Sequence, residues 1–394
     1  MAMRADAEAC CCIAVVQATG ERPRQYRWLA IWLLSRVAVG LVVTAGALVG
    51  DVDRALRASD PAKWWLYRFA HWDSHLYAAI AERGYVAEGP ASNYNAFFPG
   101  LPAIMKVWTA ATGTDGRWGA LIVVTVTGAV AAVLVGALAT DVTGRGQVGT
   151  GAVVLFACSP LTVFFSVAYT EAIFVCLSLG AWLLARRQHW LWAGVLAGGA
   201  CALRLNGLFL LAGLMVLYFV RERPDKTLRM KASAAALMIG PVFVAYWAFW
   251  LHGLTGHWDT WTRAQEKGWG RKAAWPWVGL EDGIGNLAAA ESWHLTASRG
   301  LDLVAVLVAL IVPVYFATRR NWPLAALLGL NAVPILFSSI LDSGARYLLV
   351  WFPIYVLAAS CLATHTRTRH AIVTISSLLA LTLAYCWSQQ YRLA

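Results

Sequence analysis

Apolar windows of about twenty residues recur along nearly the whole chain, and this feature limits the possible folds most strongly. Hydrophobic residues make up 59% of the chain and charged residues only 13%, against roughly a quarter in soluble globular proteins. In a bilayer every backbone amide must be bonded within the protein, so spanning segments are helices or closed barrels. The continuous apolar runs lack the alternation of barrel strands. The sequence therefore predicts an all-α, polytopic membrane helical bundle.

The positions of the basic residues predict the topology. Lys and Arg account for the net charge of +11 and sit mainly in short loops, as the positive-inside rule produces, so the charge does not indicate a nucleic-acid partner. Arg22, Arg24 and Arg27 precede the first span and place the N-terminus in the cytosol. Eleven spans are predicted, at about 28–49, 118–140, 148–162, 169–185, 189–203, 207–220, 232–251, up to 318, 322–340, up to 364, and up to 387.

This topology divides the chain into a tail and one domain. We expect residues 1–26 to be a disordered cytosolic tail and residues 27–388 to form a single transmembrane domain. Two long loops, 50–117 and 252–298, fall on the outer face. No Cys-x-x-Cys or His-rich spacing suggests a metal site, and no Gly-rich phosphate loop suggests a nucleotide, so no cofactor is expected.

The first external loop contains the longest interruption between apolar segments in the N-terminal half, from His71 to Pro102. Apolar residues follow Asp73 at helical spacing, and Gly84 supplies a stop signal. A helix of about ten residues cannot span a bilayer, so we expect it to lie on the membrane surface. The apolar stretch from Phe97 to Thr112 is also short and is interpreted as interfacial or re-entrant. The loop predicts an active site on the outer face, centred on Asp73.

Asp73 admits two interpretations. An Asp before an apolar helical stripe is a helix N-cap, worth roughly 1 kcal/mol. Alternatively, His71 and His75 surround this carboxylate on a membrane-facing surface, where it can accept the proton of an attacking hydroxyl.

Three further charged residues lie at the outer ends of apolar spans. Glu171 is either an interfacial residue at a helix end or a polar group facing a water-filled cavity, because burial of a charge at a helix centre costs roughly 2.5–3.5 kcal/mol. Arg204 and Arg346 run against the charge bias of that side, so partners are expected. Asp342 is one candidate partner for Arg346, and a lipid phosphate held by either arginine is another.

The second external loop, 252–298, is rich in tryptophan. Interfacial anchoring explains some of these side chains, and stacking on sugar faces or a groove for a polyprenyl chain are the alternatives. The tryptophans in or just before the loop are Trp247, Trp250, Trp258, Trp261, Trp269, Trp275, Trp277 and Trp293.

Several ordered motifs resemble the GPI mannosyltransferase II (PIG-V-type) family, especially its bacterial members. The first motif is Trp72-Asp73-x-x-x-Tyr77-x-x-Ile80-Ala81-x-x-Gly84-Tyr85, followed by Asn95-Ala96-Phe97-Phe98-Pro99-x-x-Pro102. The others are Ser159-Pro160 with Tyr169-Thr170-Glu171, then Arg204-Leu205-Asn206-Gly207, and Arg346-Tyr347 with Pro353. The chain departs from the family at His71, where Arg is common, and at Leu76, where His or a large aromatic residue is common.

The resemblance implies a GT-C-type bundle whose first external loop carries the catalytic carboxylate, here Asp73. It implies a polyprenyl-phosphate sugar as donor, most often mannose. The expected substrate-binding residues are His71, His75, Asn95, Glu171, Arg204, Asn206, Arg346 and Tyr347. The expected partners are this donor, a glycan, lipid or protein acceptor, and membrane lipids.

The leading hypothesis is an inverting glycosyltransferase at the outer face of the cell membrane, with Asp73 as base and Arg204 or Arg346 on the leaving phosphate. A lipid-linked sugar flippase would equally have many spans, but it does not explain the loop around Asp73, and the chain lacks an internal repeat. Another lipid-linked-glycan ligase or polymerase would use the 252–298 loop instead, with His252 and Lys267 as its test residues.

Overall fold

The computed structural model describes residues 22–221, 232–391 and 393. Within these ranges the chain is predominantly helical, and its only β-type pairing is one isolated bridge between Ala273 and Ser338. The all-α prediction is confirmed. The predicted tail up to residue 21 and the basic loop 222–231 lie outside the described residues. The first helix begins at Arg22, so residues 22–26 belong to it and not to the tail.

The α-helices of the described ranges are numbered in chain order. They are α1 Arg22–Val49, α2 Arg54–Ser59, α3 Pro61–Arg68, α4 Asp73–Arg83, α5 Gly100–Thr112, α6 Gly116–Thr143, α7 Gly146–Ala157, α8 Glu171–Arg186, α9 Trp190–Cys201, α10 Asn206–Arg221, α11 Ile239–Thr255, α12 Thr260–Trp269, α13 Pro276–Ala288, α14 Trp293–Thr318, α15 Trp322–Leu336, α16 Gly344–Leu348, α17 Phe352–Cys361 and α18 Thr366–Ser388. Short 3-10 helices occupy Pro90–Ala96, Thr162–Phe165 and Ala232–Met238.

The apolar helices confirm a polytopic helical membrane protein. Among the described residues, 5 helices are long and apolar enough to cross a membrane: α1, α6, the continuous segment Ala232–Thr255, α14 and α18. Five shorter apolar helices, α7, α9, α10, α15 and α17, occupy the positions of other predicted spans. At 1.5 Å per residue, a helix of 10 to 17 residues is shorter than the roughly 30 Å hydrocarbon core. The number eleven therefore stays a prediction.

Contacts between loops agree with the predicted alternation of sides. Arg186 at the end of α8 forms an ion pair of 2.6 Å with Asp141 at the end of α6, and Arg221 at the end of α10 donates to the carbonyl of Arg186. At the opposite end, the indole of Trp387 in α18 donates to the carbonyl of Arg68 over 2.8 Å. Loops predicted to share a side therefore do meet. Which side faces the cytosol stays a prediction.

Large indoles fit against glycines in the centre of the bundle. Trp28 and Trp32 of α1 are fully buried, and they lie against Gly136 and Gly128 of α6. A Cβ at Gly136 would come within 2.7 Å of the Trp28 ring. Small residues let helices approach closely where lipid supplies no hydrophobic drive, so these glycines set the distance between α1 and α6.

The first external loop is folded as the local sequence signals predict. Helix α4 begins at Asp73, and Gly84 ends it with a φ of 78°, a conformation that favours glycine. Helix α5 has 13 residues, about 20 Å, which is too short to span. The interpretation of residues 97–112 as a non-spanning segment is consistent with this length.

We expect Gly136→Ala to lower the free energy of unfolding by roughly 1–3 kcal/mol, because its methyl group would overlap the rigid indole of Trp28. Gly40→Ala in α1 is the matched control, since no atom lies within 4 Å of its added Cβ, and it should be neutral or stabilising by up to about 1 kcal/mol. Thermal unfolding in detergent, followed by circular dichroism, measures both. Equal melting temperatures for the two variants would contradict the packing argument.

Candidate active site

The turn that starts α4 is fixed to the segment before α8. The amide of Ser74 donates to the carbonyl of His71 over 3.1 Å, which closes the turn, and the Ser74 hydroxyl donates to the carbonyl of Ala168 over 2.8 Å. The amide of Asp73 donates to the hydroxyl of Tyr169 over 3.1 Å. Serine and tyrosine thus hold the backbone of Asp73 while its carboxylate stays available for other partners.

Four charged side chains from distant parts of the sequence form one network. Arg346 donates from Nη1 to Oδ2 of Asp73 over 2.9 Å and from Nε to Oε1 of Glu171 over 2.6 Å. Arg204 donates from Nη1 to the same Oε1 of Glu171 over 2.6 Å. Two carboxylates and two guanidinium groups therefore balance one another, and such charge-assisted bonds are the strong class.

Burial separates the roles of the two carboxylates. The side chain of Glu171 is 0% exposed and that of Asp73 is 18% exposed. Glu171 is therefore the buried anchor of the two arginines and not an interfacial residue, and Asp73 is the accessible end of the network. The N-cap interpretation of Asp73 also fails, because Asp73 is the first residue of α4 and its carboxylate binds Arg346.

The partner expected for Arg346 also needs correction. Its guanidinium binds Asp73 and Glu171, whereas the carbonyl of Asp342 accepts a hydrogen bond of 2.9 Å from Arg271. Burial tends to lower the pKa of Arg346, but the adjacent carboxylates outweigh this effect and raise that pKa above its ordinary value. Arg346 is therefore a permanent cation inside the network.

Two cavities meet at Asp73. The first, which we call the helix-side cavity, has a volume of about 170 Å³ and is lined by Asp73, Arg204, Asn206, Arg271, Arg346 and Tyr347, among others. The second, the loop-side cavity, has a volume of about 300 Å³ and is lined by Trp72, Asp73, Asn93, Tyr169, Trp269 and Trp387, among others. Asp73, Trp269, Ser343 and Arg346 line both cavities. One accessible carboxylate therefore borders both cavities.

Arg271 is a further cation of this site that was not predicted from the sequence. This residue donates to the hydroxyl of Tyr347 and the carbonyl of Asp342, and its guanidinium lies 5.4 Å from the centre of the Tyr347 ring. Among the described residues no carboxylate forms an ion pair with Arg271, and its buried Nε has no hydrogen-bond partner. Arg271 lines the same cavity as Arg204 and Arg346, and like them it is a cation in a segment that was predicted to be external.

Asn206 and Tyr347 lie in the helix-side cavity. Asn206 donates to the side-chain oxygen of Asn331 over 2.7 Å, and Asn331 in turn donates to the carbonyl of Leu327. Two cations approach the Tyr347 ring: the guanidinium of Arg204 lies 5.8 Å from its centre and that of Arg271 lies 5.4 Å from it. Asn206 thus ties α10 to α15 beneath the charged network.

Four predicted binding residues line neither cavity: Glu171, described above, and His71, His75 and Asn95. His71 is buried against Trp387, and burial together with the positive charge of Arg68 lowers the pKa of this histidine to about 3, so it is neutral. His75 is exposed, with Nδ1 3.4 Å from Arg117. Asn95 is buried and donates to the carbonyl of Val86 over 2.9 Å. Residues two apart at a helix start face different directions, so neighbours of Asp73 in sequence are not its neighbours in space.

Seven of the eight tryptophans in or just before the second external loop fall into two groups, and Trp247 is buried with Phe98 and Leu251. Trp261 and Trp269 line the helix-side cavity, and the Trp261 indole donates to the carbonyl of Ala96 over 3.1 Å. The exposed group, which suits interfacial anchoring, comprises Trp250, Trp258, Trp275, Trp277 and Trp293.

The residues that would test the ligase alternative lie elsewhere. His252 stacks on Trp258 with 4.0 Å between ring centres, and Lys267 donates to the carbonyl of Gly89 over 2.6 Å. Neither lines the two cavities. Within the described ranges, no group of three or more His, Cys, Asp or Glu side chains is placed to hold a metal ion.

Glu171→Gln should lower the free energy of unfolding by roughly 3–5 kcal/mol, because it leaves two arginines without their shared buried counter-ion. Asp73→Asn removes the same charge at the accessible end of the network and should cost only about 1 kcal/mol. Both replacements keep the side-chain shape, so unfolding in detergent compares the positions directly. A larger loss for Asp73→Asn would show that Glu171 is not the anchor.

Two comparisons with known proteins found similar sequences. The family model described as mannosyltransferase (PIG-V) matches residues 58–245, a range that includes Asp73, Glu171, Arg204 and Asn206. The GPI mannosyltransferase 2 of Yarrowia lipolytica (strain CLIB 122 / E 150) is 27% identical over 179 residues, which cover 44% of this chain and 47% of that protein. The chain therefore spans about half the length of the curated relative it matches.

No solved structure matches the chain. The family match and the curated relative confirm the resemblance that the Trp72-Asp73 motif predicted. Residues 58–245 of this chain are therefore similar to the PIG-V-type mannosyltransferase family.

Proposed function

We propose that this protein transfers mannose from a polyprenyl-phosphate donor to the hydroxyl of an acceptor. The observation that carries the proposal is the position of Asp73, whose accessible carboxylate lines two cavities at once. A transfer reaction needs this arrangement, because donor and acceptor must meet at one base. A flippase would need one substrate path and no shared carboxylate between two spaces.

In the proposed step Asp73 acts as general base. Oδ2 accepts from Arg346, and no hydrogen bond among the described residues uses Oδ1, which is left to accept the proton of the acceptor hydroxyl. The hydroxyl oxygen forms a bond to the anomeric carbon while the bond from that carbon to the phosphate oxygen breaks. The phosphate leaves with the electron pair, so a single displacement inverts the anomeric configuration.

The helix-side cavity suits the donor because it contains the cations. Arg204 and Arg346 are neutralised by Glu171 and Asp73, so they add little net charge for an anion. Arg271 has no such counter-ion among the described residues and adds a positive charge to the same cavity. We assign the leaving phosphate to Arg271 and give Arg204 and Arg346 the role of holding the carboxylates. This revises the expectation drawn from sequence alone.

The apolar walls of this cavity also suit a polyprenyl chain. Phe209 of α10 and Pro334 of α15 line it, and both belong to apolar helices that occupy predicted spans. A lipid tail among these helices would place the phosphate at their ends, beside Arg271. The site lies at the end of the bundle opposite Arg186 and Arg221, which supports an extracytoplasmic active site under the positive-inside rule.

Asp73→Asn should reduce transfer of labelled mannose from polyprenyl-phosphate mannose in proteoliposomes by roughly 10²- to 10⁴-fold, the usual contribution of a general base. The amide keeps the size of the side chain but has too little basicity to accept the proton. Glu82→Gln, on the exposed face of the same helix α4, is the control and should retain full activity. Retained turnover in Asp73→Asn would refute the assignment of the base.

Arg271→Gln should raise the KM for the donor by roughly 10- to 100-fold, the effect of losing a hydrogen bond to a charged group. Lys272→Gln is the matched control, because this neighbouring cation is largely exposed and pairs with Glu266. Initial rates at varied donor concentration give both values. An unchanged donor KM in Arg271→Gln would move the phosphate to another residue without affecting the role of Asp73.

A further inference from the structure

Trp72 adopts a backbone conformation that normally requires glycine. It has φ 50° and ψ −116°, and it occupies the first central position of the turn closed by His71 and Ser74. These angles are those of a type II′ turn, whose first central position favours glycine. A non-glycine residue there carries strain of a kind that is concentrated at functional sites.

Packing does not explain the side chain of Trp72. Its indole is 46% exposed, whereas the indoles of Trp28, Trp32 and Trp387 are buried in the bundle. The hydroxyl of Tyr169 holds the turn on both sides, since it accepts from the amide of Asp73 and donates to the carbonyl of His71. The surrounding structure therefore maintains a strained residue that presents an indole to a cavity.

The loop-side cavity that Trp72 lines differs from the helix-side cavity in charge. Its only charged lining residues are Asp73 and Arg346, which pair with each other. The rest of the wall is mainly aromatic, with Tyr169, Trp269 and Trp387 beside Trp72, and Asn93 and Ser343 supply neutral polar groups. Arg204 and Arg271 line the helix-side cavity instead. An anion would find no unpaired cation in this cavity.

The loop-side cavity also differs from the helix-side cavity in the structural elements that line it. Its lining residues come from loops, from the short helices α4, α12 and α16, from two 3-10 helices, and from the last turn of α18. No residue from the middle of a predicted span takes part. The loop-side cavity is therefore built from the external part of the molecule, where a water-soluble group rather than a lipid tail has access.

We propose that the loop-side cavity binds the acceptor, and that the acceptor presents an uncharged sugar whose ring stacks on Trp72. The C–H groups of a pyranose face carry partial positive charge and match the negative face of an indole. Asn93 and Ser343 bind neighbouring hydroxyls, and the attacking hydroxyl faces Asp73. This inference rests on the proposed function and names the class of acceptor for the same site.

The test measures transfer from polyprenyl-phosphate mannose to a panel of octyl glycosides (mannoside, glucoside and galactoside) and to their 6-phosphates. We expect transfer to at least one neutral glycoside and at least tenfold weaker transfer to its 6-phosphate. Trp72→Gly should raise the KM for that neutral acceptor about tenfold, the order of one aromatic contact, with donor KM and kcat within about twofold of the wild type. Trp72→Phe should recover most of the affinity.

A second measurement separates binding from folding. Glycine relieves the strain at this turn, so Trp72→Gly should melt at the same temperature as the wild type or higher. Trp275→Ala is the control, because this exposed tryptophan stacks on Trp277 away from both cavities, and it should leave the acceptor KM unchanged.

The outcomes distinguish the two proposals. Transfer that prefers the phosphorylated glycosides, a change in donor KM with Trp72→Gly, or donor hydrolysis without transfer to any neutral glycoside would overturn the acceptor inference and leave the proposed chemistry standing. A wild-type protein that neither hydrolyses nor transfers mannose from polyprenyl-phosphate mannose would overturn the proposed function itself, together with the inference that depends on it.

Discussion

The site depends on one guanidinium group, that of Arg346, which bridges two carboxylates. Arg346 reaches Asp73 and Glu171 at the same time, and the planar fork of arginine is suited to such two-sided contacts. A buried ion pair is weak evidence for stability, because removing charges from water costs several kcal/mol per ion. The ion pairs of Arg346 are better explained by the position that they give to the side chains than by a contribution to the free energy of unfolding. The bridge fixes where the accessible carboxylate points.

The bridge made by Arg346 determines which arginines of the site are already paired and which one is left to attract an anion. Once Arg204 and Arg346 are committed to Glu171 and Asp73, the network is neutral. Any anionic substrate must then be attracted by a further charge, and Arg271 is placed beside the same cavity. A neutral network and one additional cation give the two cavities different chemical character, although they share a wall. This difference supports a charged donor on one side and an uncharged acceptor on the other.

Local signals in the sequence predicted the local structure well. The start of α4 at Asp73 and its stop at Gly84 depend on residues a few positions apart, and so do the apolar helices. The pairing of charges could not be predicted in this way. Asp342 was suggested for Arg346 because the two are near in sequence, yet the actual partners lie 175 and 273 residues away. His71 and His75 were grouped with Asp73 for the same reason, and Arg271 resembled an ordinary loop cation beside Lys272.

The separation of the network in sequence has a consequence for how the protein is made. Helices enter a membrane in the order of synthesis, and a chain inserted only as far as α10 contains Asp73, Glu171 and Arg204 but not Arg346. At that stage one carboxylate has no counter-ion. The proposed active centre therefore cannot assemble until the segment after α15, which carries Arg346, has emerged from the ribosome.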